Sequence, residues 1–494
     1  VYKRQGTNLL RTGAIADGRS MLERAFALDP FHIWNKNTLD LLDNLQTFRT
    51  VRTARFEFVA PDDEVDLLAL YLGPLLEEAY DSLAQRYDYR PPTPIRLELY
   101  RHHADFSVRT IGLAGLGALG VSFGTVLAMD APSARNPGDF NWGSTAWHEL
   151  AHTFTLGLSD HRVPRWYSEG LSVLEERRAR AGWGADVSVE FLAAFKAGRI
   201  RKVSEISEGF VRPRHPAEIG FSYYQASLVC ELIEQEHGTA ALAALLRAYR
   251  DGLDTPAAFQ QVLRLSPEEF DRRFDRFMRE RFRTALAGLD AWDGKEPVSG
   301  GFIAALVRGR QLLAEGRVDQ AKAELERAQK LFPEYSGQDS PSWDLARIAQ
   351  QQGNPTAALE QLARITTHDE TALEANILEA ELRMQLGDSA GAAAALQRLI
   401  WIAPYQTDPH VQLAELAEVR GQYAAAIQER RAVLLLKPAD RLEARYQLAN
   451  TLFRAGRTAE ARREVLQVLE QAPGFEKAHE LLLQLRTTPP QGGN

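Results

Sequence analysis

Five glycines, Gly316, Gly353, Gly387, Gly421 and Gly456, recur at intervals of 37, 34, 34 and 35 residues. Ala321, Ala358, Ala392, Ala426 and Ala461 each stand five positions after their glycine, and Pro333, Pro404, Pro438 and Pro473 stand seventeen after theirs. A period of this length with three landmarks in one register leaves few folds open. Each unit of such a repeat buries its apolar side only against its neighbours, so the units must stack. The second unit is the weakest and lacks its proline. Gly13 and Pro30 keep the same spacing of seventeen, so the N-terminal residues read as the last unit of a truncated array.

These landmarks resemble the tetratricopeptide repeat, which implies that each unit is two short helices, with the glycine ending the first, the alanine letting the second pack closely and the proline closing the unit. The resemblance implies an α-solenoid of about five units over roughly 302–486, a right-handed superhelix whose concave face engages a protein partner. The stretch 287–301 contains Gly, Pro and Ser and reads as a linker. With such a linker the array is expected to be a partner-binding appendage, not rigidly docked on what precedes it.

A second constraint is chemical. Trp147-His148-Glu149-Leu150-Ala151-His152 contains His-Glu-x-x-His. On a helix, residues four apart share a face one turn apart, so His148 and His152 can offer two imidazole nitrogens to one metal ion. Glu149 is offset, placed to act as general base on water at that ion. Ser144 or Thr145 is expected to cap the helix. Seventeen residues after His152, Trp166-Tyr167-Ser168-Glu169-Gly170 predicts a second helix that presents Glu169 as a third, oxygen ligand. Three protein ligands with one open position describe a catalytic zinc site. Thr155 and Leu158 occupy the places where a metzincin needs Gly and His, and Asp160 and His161 lie in no helix-borne motif.

His-Glu-Leu-Ala-His followed by Trp-x-x-Glu-Gly resembles the gluzincin metallopeptidases, in particular the bacterial peptidase MA-like domains related to the M1 aminopeptidases. The resemblance spans about residues 50 to 286 and implies a thermolysin-like α+β domain, a Zn2+ cofactor and hydrolysis of peptide bonds. It also implies that Tyr223, fifteen residues before the helix-closing Gly238, donates to the developing oxyanion, with the neighbouring Tyr224 as a second choice. Glu176, seven residues past Glu169, shares its helix face and is placed to accept the outer N–H of a ligand histidine; the alternative is that Glu175, Glu176, Arg177 and Arg178 form a solvated charge run. No Gly-x-Met-Glu-Asn signature occurs near Gly117–Val121. Without a glutamate for a substrate's amino group, an endopeptidase is favoured over an aminopeptidase.

Between these motifs, alternation predicts strands at 54–59 and 95–100, a helix over 64–87, a short helix at 103–110 and a hairpin of 118–123 with 125–129. The Gly-rich passage 112–120 lacks a following Lys-Ser/Thr, so it is no phosphate loop. It reads either as a plain loop or, by the resemblance, as the approach to a sheet edge above the zinc where an extended peptide could pair. His102 and His103 have no partner at ligand spacing and are expected on the surface.

The net charge of −8, from 58 basic and 66 acidic residues, gives no footprint for nucleic acid. No apolar run approaches the ~18–20 residues that span a bilayer. A lone cysteine, Cys230, excludes a disulfide within the chain and a thiolate zinc site. The chain opens at Val1 and is expected to be a fragment or processed form; the compartment is not readable, though the resemblance leans to an extracytoplasmic one. The expected organisation is a truncated repeat segment at 1–46, a peptidase domain at 50–286, the linker, the array, and a disordered tail at 487–494. Two functions compete: a zinc metallopeptidase with repeats for protein interaction, or a non-catalytic scaffold carrying a degenerate peptidase-like domain. The complete set His148, Glu149, His152 and Glu169 favours the enzyme.

Overall fold

The computed structural model describes residues 1–289, 301–337 and 339–487. Most of the expected linker and all but the first residue of the expected tail lie outside the described residues. Three helices open the chain: α1 (Tyr2–Arg11), α2 (Ile15–Leu28) and α3 (Ile33–Asn44). A mixed sheet follows, with strands β1 (Phe48–Arg52), β2 (Phe56–Pro61), β3 (Ile95–Tyr100), β4 (Gly120–Ser122) and β5 (Val126–Asp130) in the order β1-β2-β3-β5-β4. β2, β3 and β5 run parallel, while β1 and β4 pair antiparallel at the two edges. Strand β1 was not anticipated, because Phe48-Arg49-Thr50-Val51-Arg52 is half-buried up to an exposed Arg52 and carries no clean alternation.

Helix α4 (Val65–Tyr87) covers one face of the sheet with Leu68, Leu72, Leu76, Ala79 and Leu83, all fully buried. Helix α5 (His103–Ile111) packs beside β5 and contacts the N-terminal helices, where Arg109 donates to the Leu10 carbonyl at 2.9 Å. His103 corrects the surface expectation. Its Nδ1 meets the buried Asp130 at 2.9 Å and its Nε2 meets the Leu116 carbonyl at 2.7 Å, so it pins the Gly-rich passage onto the sheet.

Helices α6 (Trp142–Leu158) and α7 (Arg165–Ala179) carry the two motifs. The cap of α6 is Asn141, whose side chain accepts from the Ser144 N–H at 2.9 Å. Ser144 and Thr145, the expected caps, lie inside the first turn, because the helix starts at Trp142. Further helices complete this half, among them Glu218–His237, which ends at Gly238 as expected.

Beyond Gly301, helices pair in the anticipated register. Gly316, Gly353, Gly387, Gly421 and Gly456 all take left-handed φ of 69–76°, the conformation that ends a helix without a Cβ penalty. Ala321, Ala358, Ala392, Ala426 and Ala461 are all wholly buried where the second helices meet the first.

The array is docked, against expectation. The Trp142 indole N–H donates to the Ile400 carbonyl at 2.9 Å, the Trp142 backbone N–H to Trp401 at 3.1 Å, and the Gly138 N–H to Ile402 at 3.1 Å. Tyr71 of α4 donates to Glu429 at 2.7 Å and stands 2.9 Å from the buried His410. Tyr405 donates to Glu64 at 2.8 Å. Leu396, Leu399, Ile400 and Ile402 belong to the same apolar core as Trp142, Ala146 and Trp147. A linker's composition says how the chain can bend, not whether the faces it joins are complementary. Among the described residues no helix is long and apolar enough to cross a membrane.

Candidate metal centre

One helical turn separates His148 from His152 on α6, and α7 packs against α6 so that Glu169 faces both. The two Nε2 atoms are 3.1 Å apart, and Glu169 Oε2 lies 3.2 Å from His148 Nε2 and 3.3 Å from His152 Nε2. Donor atoms held tetrahedrally at ~2.0–2.2 Å from zinc stand about 3.3–3.5 Å from one another. The observed triangle is nearly that size. These three residues are the His/Glu group among the described residues that can hold a metal ion.

The outer ring nitrogens decide which atoms face the centre. His148 Nδ1 contacts Glu176 Oε1 closely. His152 Nδ1 meets Ser168 Oγ at 2.7 Å, and Ser168 is itself 2.7 Å from Thr155 Oγ1. With each Nδ1 carrying the proton toward an oxygen, each Nε2 is left as a lone-pair donor, as a metal ligand requires. Burial opposes charge on His148, yet Glu176 and Glu169 hold its pKa well above the ordinary range. Burial likewise opposes ionisation of Glu169, but the two imidazoles hold it well below the usual carboxylate range. The carboxylates of Glu169 and Glu176 around His148 favour a cation there, and the two imidazoles with one carboxylate are a donor set that fits zinc.

Glu149 lies beside this triangle, 5% exposed, with Oε2 lacking any partner. Burial pushes its carboxyl up to about 7, against the pull of His152 and His148. It rests against the edge strand: a Cβ on Gly120 would fall 2.5 Å from Glu149 Oε1. A second tie joins the hairpin to α6, where Thr153 donates to the Gly124 carbonyl at 2.6 Å.

Tyr223 faces the centre, its ring centroid 6.3 Å from that of His148. Burial, followed by the charge of Glu169, raises its pKa against the opposing charge of Arg165. Tyr224 points elsewhere, buried against Phe191 at 5.1 Å. Glu175 and Glu176 are both buried, 0% and 7% exposed, which overturns the reading of a solvated charge run. Glu175 instead accepts from Tyr87 at 2.9 Å and pairs with Arg86 and Arg178. Asp160 and His161 form a left-handed turn after α6 and do not join the triangle.

Sequence reasoning missed Ser168 and Arg165. Ser168 stands one residue before Glu169, and its chance of meeting His152 was readable from the helix register alone. Arg165 Nε donates to Glu169 Oε1 at 3.2 Å, an i,i+4 pair within the same motif.

Residues 344–409 and 419–485 match the tetratricopeptide repeat family. No curated protein matches the chain. Among solved structures, MamA is similar at 20% identity and a TM-score of 0.26, over 36% of this chain and 94% of that one. YrrB, described as a TPR protein with an unusual peptide-binding site, is similar at 14% identity and a TM-score of 0.26, over 37% and 91%. Native yeast LTA4 hydrolase is similar at 14% identity and a TM-score of 0.31, over 90% of this chain and 65% of its own. Likenesses of that size say nothing about chemistry, which rests on the site itself.

Proposed function

We propose that the chain is a zinc-dependent metallopeptidase of gluzincin type that acts within peptide chains, with tetratricopeptide repeats that engage a protein. The observation that carries this reading is the triangle of His148, His152 and Glu169 donors beside the unpartnered, buried Glu149 Oε2. His148, His152 and Glu169 would hold the zinc, which would supply Lewis acidity toward a scissile carbonyl and water. Glu149 then takes the proton from the attacking water at Oε2 and returns it to the departing amine nitrogen. Tyr223 donates its O–H to the oxyanion that develops on the carbonyl oxygen. Arg165 steadies Glu169 through its second oxygen, and the free edge of β4 offers backbone groups to an extended substrate.

The test is metal analysis of purified chain together with a peptidase assay on a mixed peptide library. Stoichiometric zinc with hydrolysis at internal bonds is expected. Zinc-loaded protein that cleaves nothing would hand the function to the scaffold reading, in which the repeats act and the site is vestigial.

A further inference from the structure

Away from the metal centre, a cavity of about 470 Å³ opens between α1, α3 and α5. That volume suits a small organic ligand. Lys3, Arg4, Arg11 and Arg109 line it together with Trp34 and Asn35, and no carboxylate does. Other cations of the same N-terminal helices are matched: Arg19 pairs with Glu23 and Asp43, and Lys36 with Asp40. Among the described residues, Lys3, Arg4 and Arg11 pair with no carboxylate. Lys3 stands instead 3.7 Å over the Trp34 ring, and burial, followed by the charge of Arg4, lowers its pKa. Two buried residues of the lining also carry unmet polar atoms. Arg109 is 4% exposed, and its Nε donates to Glu98 at 2.7 Å and its Nη2 to the Leu10 carbonyl at 2.9 Å. Its Nη1 has no partner. Asn35 is 3% exposed, and its Oδ1 has no partner either. Buried polar groups are nearly always paired, so two orphans in the lining of one cavity call for a cause.

We propose that this cavity is a binding site for a phosphate ester whose organic part lies against Trp34. Cations gathered without a counter-charge repel one another until an anion enters, the reverse of a structural ion pair. A phosphate supplies that charge on several acceptor oxygens, and guanidinium forks meet them with short, charge-assisted hydrogen bonds. The Asn35 amide adds a hydrogen-bonding group that the fold itself does not use. Trp34 and Ile111, both in the lining, are 40% and 42% exposed, so the cavity presents apolar as well as cationic surface. A planar ring or the upper part of an acyl chain covers such surface. The ester is a free nucleotide-like molecule or the headgroup of an anionic lipid, which share the phosphate that the cations recognise. No residue of the metal centre takes part, so this site is independent of the metallopeptidase reading.

The test uses the full chain at physiological salt. Adenosine monophosphate is titrated by calorimetry, and phosphatidylcholine vesicles with and without phosphatidylglycerol are compared by flotation. Wild type should bind the nucleotide or the phosphatidylglycerol vesicles saturably. Nucleotide alone identifies a free ester, vesicles alone a lipid headgroup, and both together the shared phosphate. Arg4→Glu and Arg11→Glu should each weaken that binding about tenfold or more, the scale of a lost hydrogen bond to a charged group. Both side chains are exposed, so melts followed by circular dichroism should match wild type. Lys36→Glu changes the net charge equally but outside the cavity, and should cost less than about twofold because salt screens it. Trp34→Ala should weaken binding about fivefold or more by removing the apolar contact. The inference is overturned if wild type binds neither probe or if Arg4→Glu and Arg11→Glu bind as wild type does. It is equally overturned if Lys36→Glu loses as much as they do, or if Trp34→Ala loses nothing.

Discussion

The indole N–H of Trp142, first residue of the helix that carries His148 and His152, donates to the carbonyl of Ile400, 258 positions along the chain. Trp401 packs on the same turn, so close that a Cβ on Gly143 would lie 2.5 Å from its ring. The repeats therefore hold the start of the helix that bears the candidate ligands directly, and the two halves of the chain share one core.

Removal of residues from 302 onward should abolish hydrolysis of even a short peptide. The cut exposes Trp142, Ala146 and Trp147, which are at most 2% exposed in the intact chain. Circular dichroism melting and zinc content of the truncated protein check this. A fragment that stays folded, zinc-loaded and active on short peptides would return the array to the status of an appendage.

Glu149→Gln should keep zinc at wild-type stoichiometry and lower kcat by about 10²–10⁴, the range expected for loss of a general base. The amide has the same shape and fits the same place against Gly120, so no loss of stability is expected. Turnover within a few-fold of wild type would rule out Glu149 as the base.

Gly120→Ala should impair hydrolysis while sparing metal. The added carbon would meet Glu149 Cγ at 2.6 Å and Oε1 at 2.5 Å, so the carboxylate must move away from the centre. A displacement of that kind costs on the order of 10²-fold in rate. Zinc analysis beside steady-state kinetics separates this outcome from a general loss of folding.

Glu98→Gln should destabilise the fold by about 3–5 kcal/mol, because it strands a buried guanidinium. Glu98 is fully buried, 2.7 Å from Arg109 and 2.8 Å from Arg96, and it accepts from Tyr100 at 2.9 Å. Burial raises its pKa, but Arg109 and Arg96 outweigh that and hold it below 4.5. Its stabilising share is thus complete above pH 4.5 and is lost as pH falls through the lowered value. Thermal melts between neutral and acid pH should show wild type losing stability on acidification with a component that Glu98→Gln lacks.

Much of the fold was legible because its signals are local. The glycine and alanine spacings belong to helix ends and close crossings, and they reappear as left-handed φ and wholly buried methyl groups. His148, His152 and Glu169 were readable because helix geometry converts spacing into a shared face. Asn141 was missed as a cap because Trp142, at the true first turn, gave no helical signal before the apolar run. The docking was illegible for a different reason. Its central bonds end on the carbonyls of Ile400, Trp401 and Ile402, and a backbone acceptor has no letter in the sequence.

That turn of three carbonyls has an evolutionary consequence. Substitutions at 400–402 change side chains but leave the acceptors in place, so residue identity there is free to drift as far as packing permits. A single-residue insertion or deletion in the same turn shifts all three acceptors past Gly138 and Trp142 at once. Lineages descended from such a chain should therefore vary in letters across this turn and keep its length, and a foreign repeat array grafted after residue 301 should not restore the fold of the first half unless it brings that turn with it.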